Sequence, residues 1–61
     1  MKSIDTVHSP DDGGYYSEVY DDKTGVNAFQ SDVCESRAAA RRAARCWAMR
    51  EGHNWTRGED R

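Results

Sequence analysis

A chain of 61 residues has room for one small domain, and at that size folding buries only about 60% of the unfolded chain's surface. Charged residues are 33% of the total and hydrophobic ones 36%; three tyrosines, two tryptophans and a phenylalanine nevertheless set the chain apart from a disordered one. A formal net charge of −2 argues against a general polyanion binder, and no apolar run approaches the ~20 residues of a membrane span.

That charge is unevenly placed. Residues 1–35 carry eight acids against Lys2 and Lys23, a balance of −6, whereas residues 36–61 carry seven arginines against Glu51, Glu59 and Asp60, a balance of +4. Such asymmetry steers encounters and favours head-to-tail association. The opening MKSIDTVHS lacks the apolar core of a signal peptide, so a cytoplasmic protein is expected.

From the N-terminus, Ile4, Thr6 and His8 alternate with Asp5 and Val7, which predicts a strand over residues 2–8. The run Ser9-Pro10-Asp11-Asp12-Gly13-Gly14 then reverses the chain: Pro presets φ, the aspartates bond their own backbone, and the glycines accept positive φ. A second strand is expected over residues 15–21, with Tyr15, Ser17 and Val19 on one face and Tyr16, Glu18 and Tyr20 on the other. Asp22-Lys23-Thr24-Gly25 makes a hairpin loop, and residues 26–33 return as a third strand in which Asn27, Phe29, Ser31 and Val33 share a face.

Residues 36–51, SRAAARRAARCWAMRE, contain no Gly, Pro or β-branched residue and read as a helix with Ser36 as N-cap and Gly52 as its left-handed stop. A start one turn earlier, capped by Ser31, also fits the pattern. At about 100° per residue, Ala39, Ala40, Ala43, Ala44, Cys46 and Trp47 fall on a packing face and Arg37, Arg41, Arg42 and Arg45 on a water-facing one. Alanines have little bulk, so the helix must lie close to a flat surface with Trp47 as its large anchor. The expected fold is therefore α+β, a three-stranded antiparallel meander with one C-terminal helix on one face. Residues 1–55 form the domain, and residues 56–61, which have no period, form a flexible tail. The covered face collects Ile4, Val19, Phe29, Val33 and Trp47, leaving Tyr16, Glu18 and Tyr20 on the open one.

Catalytic chemistry is sparse. Cys34 and Cys46 lie roughly 15 Å apart along the axis at ~1.5 Å per residue, beyond the ~7 Å Cα separation of a disulfide, so both are expected as free thiols. With His8 and His53 they offer no metal-ligand spacing, and Cys46 reads as a small buried hydrophobe. The pairs Asp11-Asp12 and Asp21-Asp22 read as solvated turn residues. No enzyme, cofactor or metal site is expected.

Two surfaces carry functional weight. Arg37, Arg41 and Arg45, flanked by Arg42, have the spacing to track a phosphate backbone or an acidic partner, the alternative being a solubilising helix face. Tyr16 and Tyr20, with Glu18 between them, suit a protein contact, or equally serve as good strand formers.

The stretch from Asp12-Gly13-Gly14-Tyr15 through Asp21, Gly25 and the Ser36-capped helix resembles the β-β-β-α half of HicB-type antitoxins. It is similar also to short phage and prophage proteins with a GGYY-x-E-V-Y-D strand. The resemblance covers about residues 12–47 and implies a sheet–helix module that works by binding another protein. The expectation is thus a non-catalytic accessory or inhibitor module of phage or mobile-element type that masks a partner protein. The alternative is a nucleic-acid-binding module using Arg37, Arg41, Arg42 and Arg45. Self-association as a homodimer is expected too, through the tyrosine face or through an edge strand, either 26–33 or the first.

Overall fold

The computed structural model describes all 61 residues, in the order β1 (Lys2–Ser9), β2 (Gly14–Asp21), β3 (Asn27–Gln30), α1 (Arg37–Arg50) and β4 (Trp55–Asp60). The four strands make one sheet in the order β3-β2-β1-β4. β1 and β2 pair antiparallel, with Ile4 opposite Val19 and Asp5 opposite Glu18, and β2 and β3 pair antiparallel, with Val19 opposite Phe29. β4 pairs parallel to β1, Lys2 opposite Trp55. The α+β class and the meander are as expected; the fourth strand is not. The last residues, expected as a loose tail, close the sheet on the far side of β1, which makes it mixed and places β1 inside instead of at an edge.

The helix forms where its signals lie. The Ser36 hydroxyl accepts the Ala39 N–H at 3.1 Å, and at the other end the His53 N–H reaches the Ala48 carbonyl while the Gly52 N–H reaches that of Met49. Those two bonds are the paired closure of a Schellman motif, which needs a left-handed residue at Gly52, where φ is +75°. Its facing line runs through Ala40, Ala44 and Ala48, all fully buried, with Ala44 in the core cluster beside Ile4 and Val19. This line lies away from the one expected. Cys46 is exposed, not buried, and Trp47 is half-buried beside the core, its ring stacked on Phe29 at 5.0 Å and 13°.

β3 also ends early. The Ser31 hydroxyl accepts the Ser17 N–H at 2.9 Å in place of a ladder carbonyl, so the chain kinks there before Cys34 rejoins Tyr15 in an isolated bridge. Val33, expected under the helix, is therefore 45% exposed. The buried apolar set is small: Ile4, Val19 and the three alanines, with Phe29, Trp47 and Trp55 packed against it. Thr6 and Ser17, both fully buried, hydrogen-bond each other at 3.1 Å and so leave no hydroxyl unsatisfied. No helix is long and apolar enough to cross a membrane.

Candidate functional site: the open sheet face

The face of the sheet away from α1 is built by alternation. Residues paired across antiparallel strands share a face, so Tyr16, Glu18 and Tyr20 of β2 stand beside Val7, Asp5 and Ser3 of β1, and Gln30 of β3 stands beside Glu18. Tyr16 and Tyr20 are four residues apart, roughly 13 Å along the strand, with Glu18 midway. All three sit where the alternation of residues 15–21 places them, and none is covered by another element. They are half-buried by their neighbours on the sheet.

The middle row is charged. Asp5 and Glu18 face each other directly across the strands, an arrangement that repels unless a cation intervenes. Arg61 supplies it: its Nη2 lies 3.5 Å from Asp5 Oδ2 and 3.2 Å from Glu18 Oε2. Asp5 is further held by the Glu59 N–H, which donates to Oδ1 at 2.8 Å. This is why a carboxylate whose side chain is only 10% exposed can stay in the sheet. At the end of the face the Ser3 hydroxyl donates to Asp22, fixing a third carboxylate beside Tyr20. Sequence reasoning found Tyr16, Glu18 and Tyr20 but not Asp5, Asp22 or Arg61, because those depend on β4 and on the loop after β2. The one available signal was Gly58 shortly after the strand formers Trp55 and Thr56, since a Gly in a strand commonly marks a bulge or a close backbone approach.

The arginines do not form one stripe. With Ala44 on the facing line, Arg37 and Arg41 lie within about 20° and 60° of it and turn toward the sheet. Arg37 lays its guanidinium over the Tyr15 ring, 4.9 Å from the centroid, and Tyr15 packs on His8 at 5.0 Å. Arg41 reaches Asp60 at 3.1 Å with Nη2, while its Nε is buried without an acceptor. Arg57 holds the same carboxylate at 2.8 Å, and these two partners, Arg57 first, keep the Asp60 carboxyl below the usual range. Arg42 and Arg45 alone of the four face solvent fully.

Elsewhere the chemistry is dispersed. No three His, Cys, Asp or Glu side chains gather as metal ligands. His53 leans on the Trp47 ring at 5.4 Å. An open hollow of about 310 Å³ beside it is lined by Met1, Lys2, Gly52, His53 and Asn54. Compared with protein-family models, curated proteins and solved structures, the chain matches none.

Proposed function

We propose that this chain is a small non-catalytic protein-binding module, an accessory or inhibitor that masks a partner protein with the open face of its sheet. The observation that carries the reading is the row Tyr16, Glu18, Tyr20 on a face that no element of the chain covers. Tyrosine offers large, rigid contact area with a polar tip, the kind of side chain that anchors protein contacts. The phage or mobile-element setting is proposed on the resemblance of about residues 12–47 to HicB-type antitoxins and to short phage and prophage proteins.

The competing reading is nucleic-acid binding through Arg37, Arg41, Arg42 and Arg45. It is weakened because Arg37 and Arg41 are committed to Tyr15 and Asp60. One experiment separates the two. A tagged chain is used to capture partners from its native host, beside a Tyr16→Ser/Tyr20→Ser variant and an Arg42→Ala/Arg45→Ala variant, both checked for folding by circular dichroism. The expected result is a protein partner lost with the tyrosines and retained without the arginines. Salt-sensitive binding of duplex or single-stranded nucleic acid, lost with the arginines, would install the alternative.

A homodimer is proposed beside this reading, through the unpaired edge of β3 or β4, since an open edge is a template for pairing. Sedimentation at tens of micromolar should then give twice the 6.9 kDa of one chain. A mass that stays at the monomer value removes the dimer and leaves the tyrosine face unaffected.

A further inference from the structure

We infer that the partner segment bound by the open face is basic, and that it presents an arginine to the Asp5–Glu18 pair between Tyr16 and Tyr20. The inference rests on the proposal that this face binds a protein and specifies the chemistry of what it binds. Three carboxylates are fixed on the face, those of Asp5, Glu18 and Asp22, against the single guanidinium of Arg61. A partner laid over it meets an excess of negative charge. An acidic or purely apolar segment would desolvate those carboxylates without replacing their water, which is costly, whereas a basic segment compensates them.

Arg61 shows how the seat is used. Its guanidinium fits between the two carboxylates, yet one terminal nitrogen, Nη2, serves both, and with Asp5 Oδ1 taken by the Glu59 N–H it is Glu18 Oε1 that is left without a protein donor. Its side chain is 50% exposed, and Glu18, at 21%, keeps an open approach from solvent. An arriving arginine can offer the paired donors that a carboxylate accepts best, and its flat guanidinium can stack on a tyrosine ring on either side of Glu18. Lysine brings the charge without the fork. Arg61 therefore acts as a resident competitor: it offsets one of the pair's two negative charges while the face is empty and gives way to a better-placed guanidinium.

The test is a titration of the isotope-labelled full chain, followed by amide chemical shifts, with a synthetic six-residue peptide holding two arginines, set beside the same peptide with citrulline, the neutral isostere, in place of arginine. Saturable shifts centred on Asp5, Tyr16, Glu18 and Tyr20 are expected with the arginine peptide, and citrulline should weaken binding at least about tenfold. Glu18→Gln should weaken the arginine peptide to a similar degree, and Arg61→Ala should strengthen it. The comparison of the two peptides on the unmodified chain holds even where a variant does not fold. Equal binding of both peptides to this face would overturn the basic-partner inference while leaving the face as a binding surface. No shifts at millimolar arginine peptide would overturn the inference as well. The binding role of the face itself is decided separately, by whether the Tyr16→Ser/Tyr20→Ser variant still captures its partner.

Discussion

At Gly58 the lack of a side chain decides where β4 can lie. A Cβ built there would fall inside contact distance of the Asp5 carboxylate and 3.0 Å from the Ile4 carbonyl oxygen, at the point where the β1–β4 register slips between Ile4 and Thr6. The bulge lets the Glu59 N–H reach Asp5, so Gly58→Ala should displace the backbone that satisfies a nearly buried carboxylate. A loss of about 1–3 kcal/mol is expected, read as a lower urea midpoint, the range for forcing atoms into a packed site. No change in midpoint would mean that β4 is not held as described. Asp21 gives a second test at this scale. Its carboxylate receives the Lys2 ammonium at 3.0 Å and the N–H groups of Lys23 and Thr24, and these bonds, Lys2 first, pull its pKa from 3.8 to about 2. The folded carboxylate thus releases its proton more readily than the unfolded one. Between about pH 4 and pH 2 the unfolded chain binds more protons, so the contribution of Asp21 to stability is complete above that window and is lost as pH falls through it. The Asp21→Asn variant should show a shallower decline in melting temperature than the parent across those two units. Parallel curves would rule out the Lys2–Asp21 contact as the cause.

Among the elements, α1 was legible in its ends and misread in its rotation. Caps are local: Ser36 needs only the N–H three residues on, and Gly52 only its freedom at positive φ, so both ends follow from neighbouring residues. Rotation is decided by what lies beneath. In a helix where alanines occur at 38, 39, 40, 43, 44 and 48, several faces are equally smooth, and a ridge of Ala40, Ala44 and Ala48 is chosen because it lets the backbone settle onto Ile4 and Val19. Arg37 and Arg41 follow it inward, their stems along the sheet and their charged ends on Tyr15 and Asp60, as long cationic side chains can. Cys46 rotates outward by the same amount. The close approach makes a direct prediction. Ala44→Leu has no space to occupy and must lift the helix or twist the side chain from its rotamer, costing about 1–3 kcal/mol, whereas Ala38→Leu on the exposed side should leave the urea midpoint nearly unchanged. Equal effects at the two positions would refute the assigned facing line. β4 was missed for a different reason: a short edge strand with a bulge has neither a buried face of its own nor an unbroken alternation, so its residues carry no period to read.

At the scale of the whole molecule, the local signals in residues 1–52 sufficed for the meander and the helix, but not for the connection that closes the sheet. That connection runs from β3, at one edge, over the covered face through α1 to β4 at the other edge, so the last strand pairs with the first and depends on contacts nearly the whole chain apart. What β4 brings is disproportionate to its length. Trp55 packs beside Ile4, Arg61 exchanges backbone bonds with Thr6 and His8, Asp60 receives Arg41, and the Glu59 N–H and the Arg61 guanidinium satisfy Asp5. Without it β1 would become an exposed edge and Asp5 would lose its partners in a chain with only five fully buried apolar side chains. A domain this small has little reserve, and an unpartnered, nearly buried carboxylate alone costs several kcal/mol or takes up a proton. A chain ending at Asn54 should therefore lose cooperative thermal unfolding and its near-ultraviolet tryptophan signal, whereas a dispensable tail would leave the melt unchanged. A chain ending at Asn54 that also carries Asp5→Asn separates the two contributions. Partial recovery of a cooperative melt would identify the stranded carboxylate as the main defect, and no recovery would identify the lost strand pairing with β1 and the missing Trp55 contact.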